Sequence, residues 1–238
     1  MEVPHKAHPH ESTKSWKSYI GEFLMLFLAV FSGFIAENLR ENYVEKEKAH
    51  EYINSMINDL QKDTLQLVQA VRVNKKLLKG IDSLLFYLKA PASDMTAKKL
   101  YVFGSYVGAS VLFESENGTI TQLKNAGGLR LIKDTASANH IMEYDQLNEL
   151  TKKQGDAYYK LTLDVLNLIE QLMDFSVTAN PSPKNTFYID KDPARLRYFY
   201  NKCYMQKQII TGYCNYLDIQ KNEAVKTIAV LRKNYHLN

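Results

Sequence analysis

The stretch INSMINDLQKDTLQLVQAVRVNKKLLKGIDSLLFYL, residues Ile53 to Leu88, decides the fold class. Its apolar residues Ile53, Ile57, Leu60, Leu67, Val71, Leu78, Ile81, Leu85 and Leu88 recur at steps of three, four or seven. Residues at those spacings lie above one another on an α-helix, so they form one seam that packs against neighbouring helices. Thr64 and Asn74 fill the two places in the seam where an apolar residue is expected. Ala90-Pro91-Ala92 ends the helix, and Ser93 or Asp94 stands where the next helix needs an N-cap.

Downstream, residues 95–109 read as a short apolar helix, and Asn117-Gly118 marks a turn. Thr119 to Ala126 has room for two helical turns, and Gly127-Gly128 supplies a left-handed C-cap, after which Leu129, Leu131 and Ile132 enter the core. A second long helix is expected from about Thr135 to Val177. Its seam runs through Tyr144, Leu147, Tyr158, Leu161, Val165, Leu168, Leu172 and Phe175, with Thr151 and Gln154 in the polar gaps. Asn180-Pro181-Ser182-Pro183 breaks it. Asp192-Pro193 then offers an N-cap and an N1 proline to a last helix carrying Leu196, Phe199, Cys203, Ile210, Cys214, Leu217, Ile228 and Leu231. No run alternates as a strand would. The expected fold is all-α: an elongated antiparallel helical bundle over residues 53–238, with the short segments between Asp94 and Asp134 as its fourth side.

Upstream, FLMLFLAVFSGFIA (Phe23–Ala36) carries no charge, and extension back to Tyr19 gives residues 19–36, interrupted only by Glu22. Eighteen helical residues reach about 27 Å, enough for a hydrocarbon core of roughly 30 Å. Trp16, Tyr19 and Tyr43 flank the run as interfacial aromatics do. The run is apolar all round, which separates it from a surface helix of a soluble core, and its small residues fit a signal-peptidase site loosely at best. It is expected to be a single transmembrane helix. Glu22 lies near its entry face, where it reaches headgroups or takes a proton; an intramembrane carboxylate also serves subunit contacts and proton paths. Residues 1–18 form a disordered tail with His5, His8 and His10, and residues 37–52 a charged juxtamembrane helix. Lys6, Lys14 and Lys17 precede the span, and Arg40, Lys46 and Lys48 follow it. Close to the span, however, Arg40 stands among Glu37, Glu41 and Glu45, which favours an inside N-terminus and an outside C-terminal domain.

The chain has 238 residues, 30 basic and 26 acidic, with the charges mixed. No basic stripe of the kind that neutralises phosphates is present, so nucleic acid is not an expected partner. Cys203 and Cys214 fall on one helix roughly 16 Å apart, too far to pair with each other, and read as core thiols. No zinc spacing, GxSxG, phosphate loop or dinucleotide turn occurs. A di-iron bundle needs two Glu-x-x-His pairs. Glu47 and His50 make one, His140 and Glu143 run in the reverse order, and His236 has Lys233 at the required place. No cofactor, metal or enzymatic activity is expected.

The order of parts resembles a family of single-span proteins from Bacteroidota-type bacteria, known as a domain of unknown function. The residues that carry it are Tyr19-Ile20-Gly21-Glu22, the exit Glu37-Asn38-Leu39-Arg40-Glu41, and the block TITQLKNAGGLRLIKD (Thr119–Asp134) followed by a helix with Tyr144. Such proteins carry a pair of tyrosines where this chain has Tyr144-Asp145. The resemblance implies an inner-membrane protein with an outward helical domain and supplies no activity. The expected role is an envelope interaction or scaffold module that binds another membrane or envelope protein or itself; the alternative is a ligand-sensing bundle that signals through a membrane partner. Polar seam residues Thr64, Asn74, Thr151, Gln154, Gln206 and Gln220 either set helix register or line a pocket. Arg195, Arg197, Tyr198 and Tyr200, with Tyr188, are the candidate ligand or partner contacts.

Overall fold

A computed structural model describes residues 15–91, 93–125, 127–179 and 188–237. The histidine-bearing tail and the break at Asn180-Pro181-Ser182-Pro183 lie outside them. The described residues are helical, in α1 (Trp16–Leu88), α2 (Asp94–Val107), α3 (Gly118–Asn125), α4 (Thr135–Leu172), the single turn α5 (Ser176–Ala179) and α6 (Pro193–Asn234), with a 3-10 turn over Gly128–Leu131. Their only strand-like pairing is one bridge between Met173 and Tyr188.

The chain divides into two units, Met1–Lys48 and Ala49–Asn238, and α1 contributes to both. In the first unit α1 is exposed from Trp16 through Val44. Phe23, Phe27 and Phe31 stack along one side of it, with centroids 6.3 and 5.7 Å apart. By length and composition this apolar run is long enough to cross a membrane, and its residues are exposed.

The second unit is an up-down-up-down bundle whose second leg is broken. Asp63 meets Tyr144 and Asn74 meets Tyr158, so α1 and α4 run parallel. Lys75 and Asp82 of α1 pair with Asp218 and Lys207 of α6, and Thr151 and Thr162 of α4 bond Gln220 and Gln206. Hence α6 runs against both. Between α1 and α4 the chain returns as α2, an extended stretch Ala109–Asn117, and α3. Local chemistry sets these breaks. Ser93 and Thr96 form a reciprocal capping box at α2. Gly127 follows α3 at φ 65°, the left-handed conformation that glycine adopts without strain. Asp192 caps α6 ahead of Pro193.

Apolar burial forms two clusters. One gathers Ile53, Leu60, Leu123, Ile141, Ala224 and Leu231; the other gathers Leu67, Leu84, Val107, Tyr158, Ile210 and Leu217, among others. Asp63, Thr151 and Gln220 are buried on the turns between them.

Four expectations are corrected here. In α1, Asp63 rather than Thr64 takes the polar place in the seam, and Leu77 is buried where Leu78 is half-buried. In α4, Leu147, Leu161 and Leu168 are half-buried while Gly155, Thr162 and Ile169 face inward. This inward face meets α6: Thr162 accepts from Gln206, and a Cβ on Gly155 would stand in contact with the Tyr213 ring at 3.4 Å. Gln154 is half-buried beside that glycine. Finally, α4 stops at Leu172, because Met173 turns to extended backbone and pairs with Tyr188, which leaves Phe175 exposed.

Candidate functional site

The extended stretch Ala109–Asn117 has no helix to satisfy its backbone, and buried amide groups must find partners. Side chains of the three long helices supply them. Asn74 donates to Val111 O at 2.7 Å, and Tyr158 donates to Ala109 O at 3.1 Å while its hydroxyl also reaches Asn74 Oδ1. Phe113 N–H donates to the Tyr213 hydroxyl oxygen at 2.7 Å, and Glu116 N–H donates to Asp63 Oδ1 at 2.8 Å. Gln206 donates to Val107 O and to Thr162 Oγ1, and Asp59 accepts from both the backbone and the hydroxyl of Thr119 at the start of α3. The polar seam residues Asn74 and Gln206 therefore hold the broken leg in place. Gln220 instead ties α6 to α4, donating to Tyr144 O at 3.2 Å.

This burial shifts protonation. Asp63 is almost fully enclosed, which pushes its carboxyl above the usual range even though it accepts from Tyr144 Oη at 2.6 Å and from Glu116 N–H. Burial also pushes the Tyr213 phenol up to about 12, and raises those of Tyr144 and Tyr158.

A cavity of about 420 Å3 opens between this stretch and α4, lined by Glu114, Ser115, Asn117, Asn148, Glu149, Lys152, Asp156 and the Tyr213 ring, among others. Glu114, Glu149 and Asp156 outnumber its one cation, Lys152. Beside it, Lys124 donates to Asp145 at 2.8 Å. Sequence reading passed over these lining residues, because they come from a loop and a helix face that no periodicity connects.

The residues proposed at the start of α6 divide between two hollows. Arg195 and Tyr198 line one of about 240 Å3 with Leu168 and Leu172, and Arg195 is engaged by Asp190 and by Gln171 Oε1 at 2.8 Å. Arg197 and Tyr200 line another of about 380 Å3 with Lys89 and Lys191. Lys89 sits over the Tyr200 ring, 5.5 Å from its centroid, and Lys191 sits equally far over Tyr188. The four candidates thus do not converge on one ligand. Glu22, the intramembrane candidate, lies in the other unit on an exposed face of α1.

The fold does converge one set of metal-ligating types. His140 Nδ1 lies 2.8 Å from Glu223 Oε1 and 3.5 Å from Glu143 Oε2, and their ligand atoms fall within 4.8 Å of one another. Lys226 also pairs with Glu223 at 3.6 Å. Glu223 was missed because it is brought to His140 by the packing of α4 on α6. Glu47 and His50 belong to different units; His50 packs edge-on to Tyr235. Both cysteines are buried, and burial raises both thiols.

The last feature is the outer face of α6. Tyr198, Met205, Gly212 and Ile219 recur every seven residues, as do Asn201, Gln208, Asn215 and Asn222. Together the two columns make a 3–4 seam beside, and distinct from, the buried one. All but the half-buried Gly212 are exposed. No charged residue stands in this seam from Tyr198 to Asn222, and the four carboxamides bond nothing among the described residues. The repeat was legible in principle, but half of it is carboxamide, and a search for apolar periodicity does not find it.

No family model, curated protein or solved structure matches this chain.

Proposed function

We propose that this protein is a single-span inner-membrane protein whose helical domain lies on the periplasmic side and serves as an interaction or scaffold module rather than an enzyme. The observation that carries the reading is the outer face of α6: an exposed strip containing Tyr198, Met205 and Ile219 in which no position is charged, with Lys202 beside it over the Tyr198 ring. Depletion of charge with enrichment of Tyr and Met is the composition of a protein–protein contact. The apolar run of α1 supplies the anchor, with the bilayer as its first partner. This agrees with what the resemblance to single-span envelope proteins implies, and it gives nucleic acid no role.

Two experiments test the reading. A photo-crosslinking residue at Met205, in the full chain in its native membranes, is expected to trap a protein partner; a reproducible absence of any adduct overturns it. Alkaline phosphatase fused after Asn238 is expected to be active, and a fusion active only in the cytoplasm reverses the orientation.

A second reading rests on the cavity between Ala109–Asn117 and α4. Three carboxylates against one lysine suit a small cationic solute, which makes the bundle a sensor. It expects a melting shift with polyamines or basic amino acids that Glu149→Gln removes; melting unmoved by any such cation disposes of it.

A further inference from the structure

We infer that the outer face of α6 pairs two copies of this chain side by side, with equivalent residues of the two helices meeting. This rests on the interaction reading above and names the partner.

The carboxamide column is the first argument. A carboxamide both donates and accepts, so Asn201, Gln208, Asn215 and Asn222 each complement the same residue of a second copy. A column of charges would repel its own copy; this one carries none. Polar residues at regular places in a helix seam also fix register, which an all-apolar strip leaves open.

Gly212 is the second. A glycine inside a helix is unfavourable against alanine, so its presence asks for a neighbour. Glycines within α1, α2 and α4 of the bundle have one, whereas Gly118, the first residue of α3, has none among the described residues. A Cβ on Gly80 would strike the Tyr106 ring at 2.1 Å, one on Gly104 would meet Ile169 at 2.6 Å, and one on Gly155 the Tyr213 ring at 3.4 Å. Among the described residues, a Cβ on Gly212 would meet nothing within 4 Å beyond its own helix's backbone. It stands in the middle of the seam, where a second helix would approach closest.

Geometry then fixes the arrangement. Pairing with equivalent residues in contact needs a two-fold axis running along the paired helices, so that the two copies of α6 run in the same sense and each column meets itself. Three seven-residue steps keep the strip facing a partner when the helices cross at about +20°, left-handed. The strip is about 37 Å long at the rise of a helix, and at a helix width of roughly 10 Å it offers on the order of 400 Å2 per copy. That is half of the roughly 800 Å2 per partner of a standard interface, so the pair is weak when free in solution. Confinement to the membrane supplies the effective concentration it needs.

The test is disulfide trapping of the full-length protein in its native membranes. Single cysteines are placed in the seam by Asn201→Cys and Asn215→Cys, and away from it on α4 by Lys153→Cys. The buried native thiols are left in place, and the unsubstituted chain is the control. Mild oxidation is expected to give a disulfide-linked dimer for both seam variants, at least several-fold above Lys153→Cys and the control. Adding Gly212→Leu, which meets open space in its own chain, is expected to cut that yield several-fold while the melting temperature does not fall. No dimer, or equal yields on and off the seam, overturns the inference. The crosslinker at Met205 separates the two readings. An adduct at a mass other than twice that of the chain refutes self-pairing and keeps the interaction face; no adduct removes both.

Discussion

Replacement of Asp63 tests whether the broken leg is held as described. Its carboxylate is 1% exposed and accepts two bonds, from Glu116 N–H at 2.8 Å and from the Tyr144 hydroxyl at 2.6 Å. Asp63→Ala strands both donors, each at about 1–3 kcal/mol. It also removes the cost of enclosing a carboxylate, so the expected net loss is about 3 kcal/mol. For a domain of this size that lowers the melting temperature by about 6–12 °C. Asp63→Asn keeps the shape and one acceptor, and its amide turns to the Tyr144 oxygen, so its loss at neutral pH is much smaller.

The pH dependence separates the two terms. Burial raises the Asp63 pKa in the folded state above its ordinary 3.8, so the folded protein holds this proton more tightly than the unfolded chain does. Below 3.8 both states are protonated and the group contributes no pH dependence. As pH rises from 3.8 through the raised value, wild type loses stability that Asp63→Asn does not lose, and above that value the difference is constant. Thermal melts of the full chain in mild detergent, followed by helical circular dichroism from acid to neutral pH, measure this. Wild type gaining on Asp63→Asn as pH rises through that window, or Asp63→Ala melting within a degree of wild type, would refute the account.

Other expectations follow from the same packing. Tyr213→Phe removes the acceptor of Phe113 N–H and is expected to destabilise by about 1–3 kcal/mol, measured by urea unfolding, with no change in helix content. Gly80→Ala drives a methyl into the Tyr106 ring and is expected to lower stability by about 1–2 kcal/mol despite alanine's better helix propensity. In a Tyr106→Ala background the same change is expected to be neutral or stabilising; a stabilised single variant would contradict the contact. Cys203 and Cys214, buried with raised thiols, are expected to resist maleimide until denaturant is added. Fast labelling of the native protein by mass spectrometry would show that the core is open. Arg195→Ala is expected to leave the melting temperature nearly unchanged, because its pairing with Asp190 lies at the surface.

How far the fold could be read depended on where its determinants lie. The long helices are written in local periodicity, and their ends in single residues such as Ser93, Gly127 and Asp192-Pro193, so these were legible. Which of two neighbouring polar residues turns inward is not a local property. Asp63 prevails over Thr64 because Glu116 and Tyr144, far away in sequence, need an acceptor. Leu161 and Leu168 look like core, yet Thr162 and Ile169 face inward, where Thr162 accepts from Gln206 of α6 and Ile169 packs where Gly104 of α2 leaves room. At the start of α6 the candidates divide, because positions two apart on a helix face different ways: Arg195 and Arg197 line separate hollows. The cluster of His140 with Glu223 exists only once α4 and α6 are packed.

The broken leg also bears on how the protein opens. Amides outside regular structure usually exchange with solvent quickly, because no ladder protects them. Here Phe113 N–H and Glu116 N–H are held by side chains of α6 and α1, with 100 and 53 residues of chain between donor and acceptor. Neither is released by fraying of a helix end; each waits for the stretch to part from the long helix that holds it. In a hydrogen-exchange experiment these two loop amides would be among the slow ones, reporting the unfolding of the whole bundle from its least regular segment.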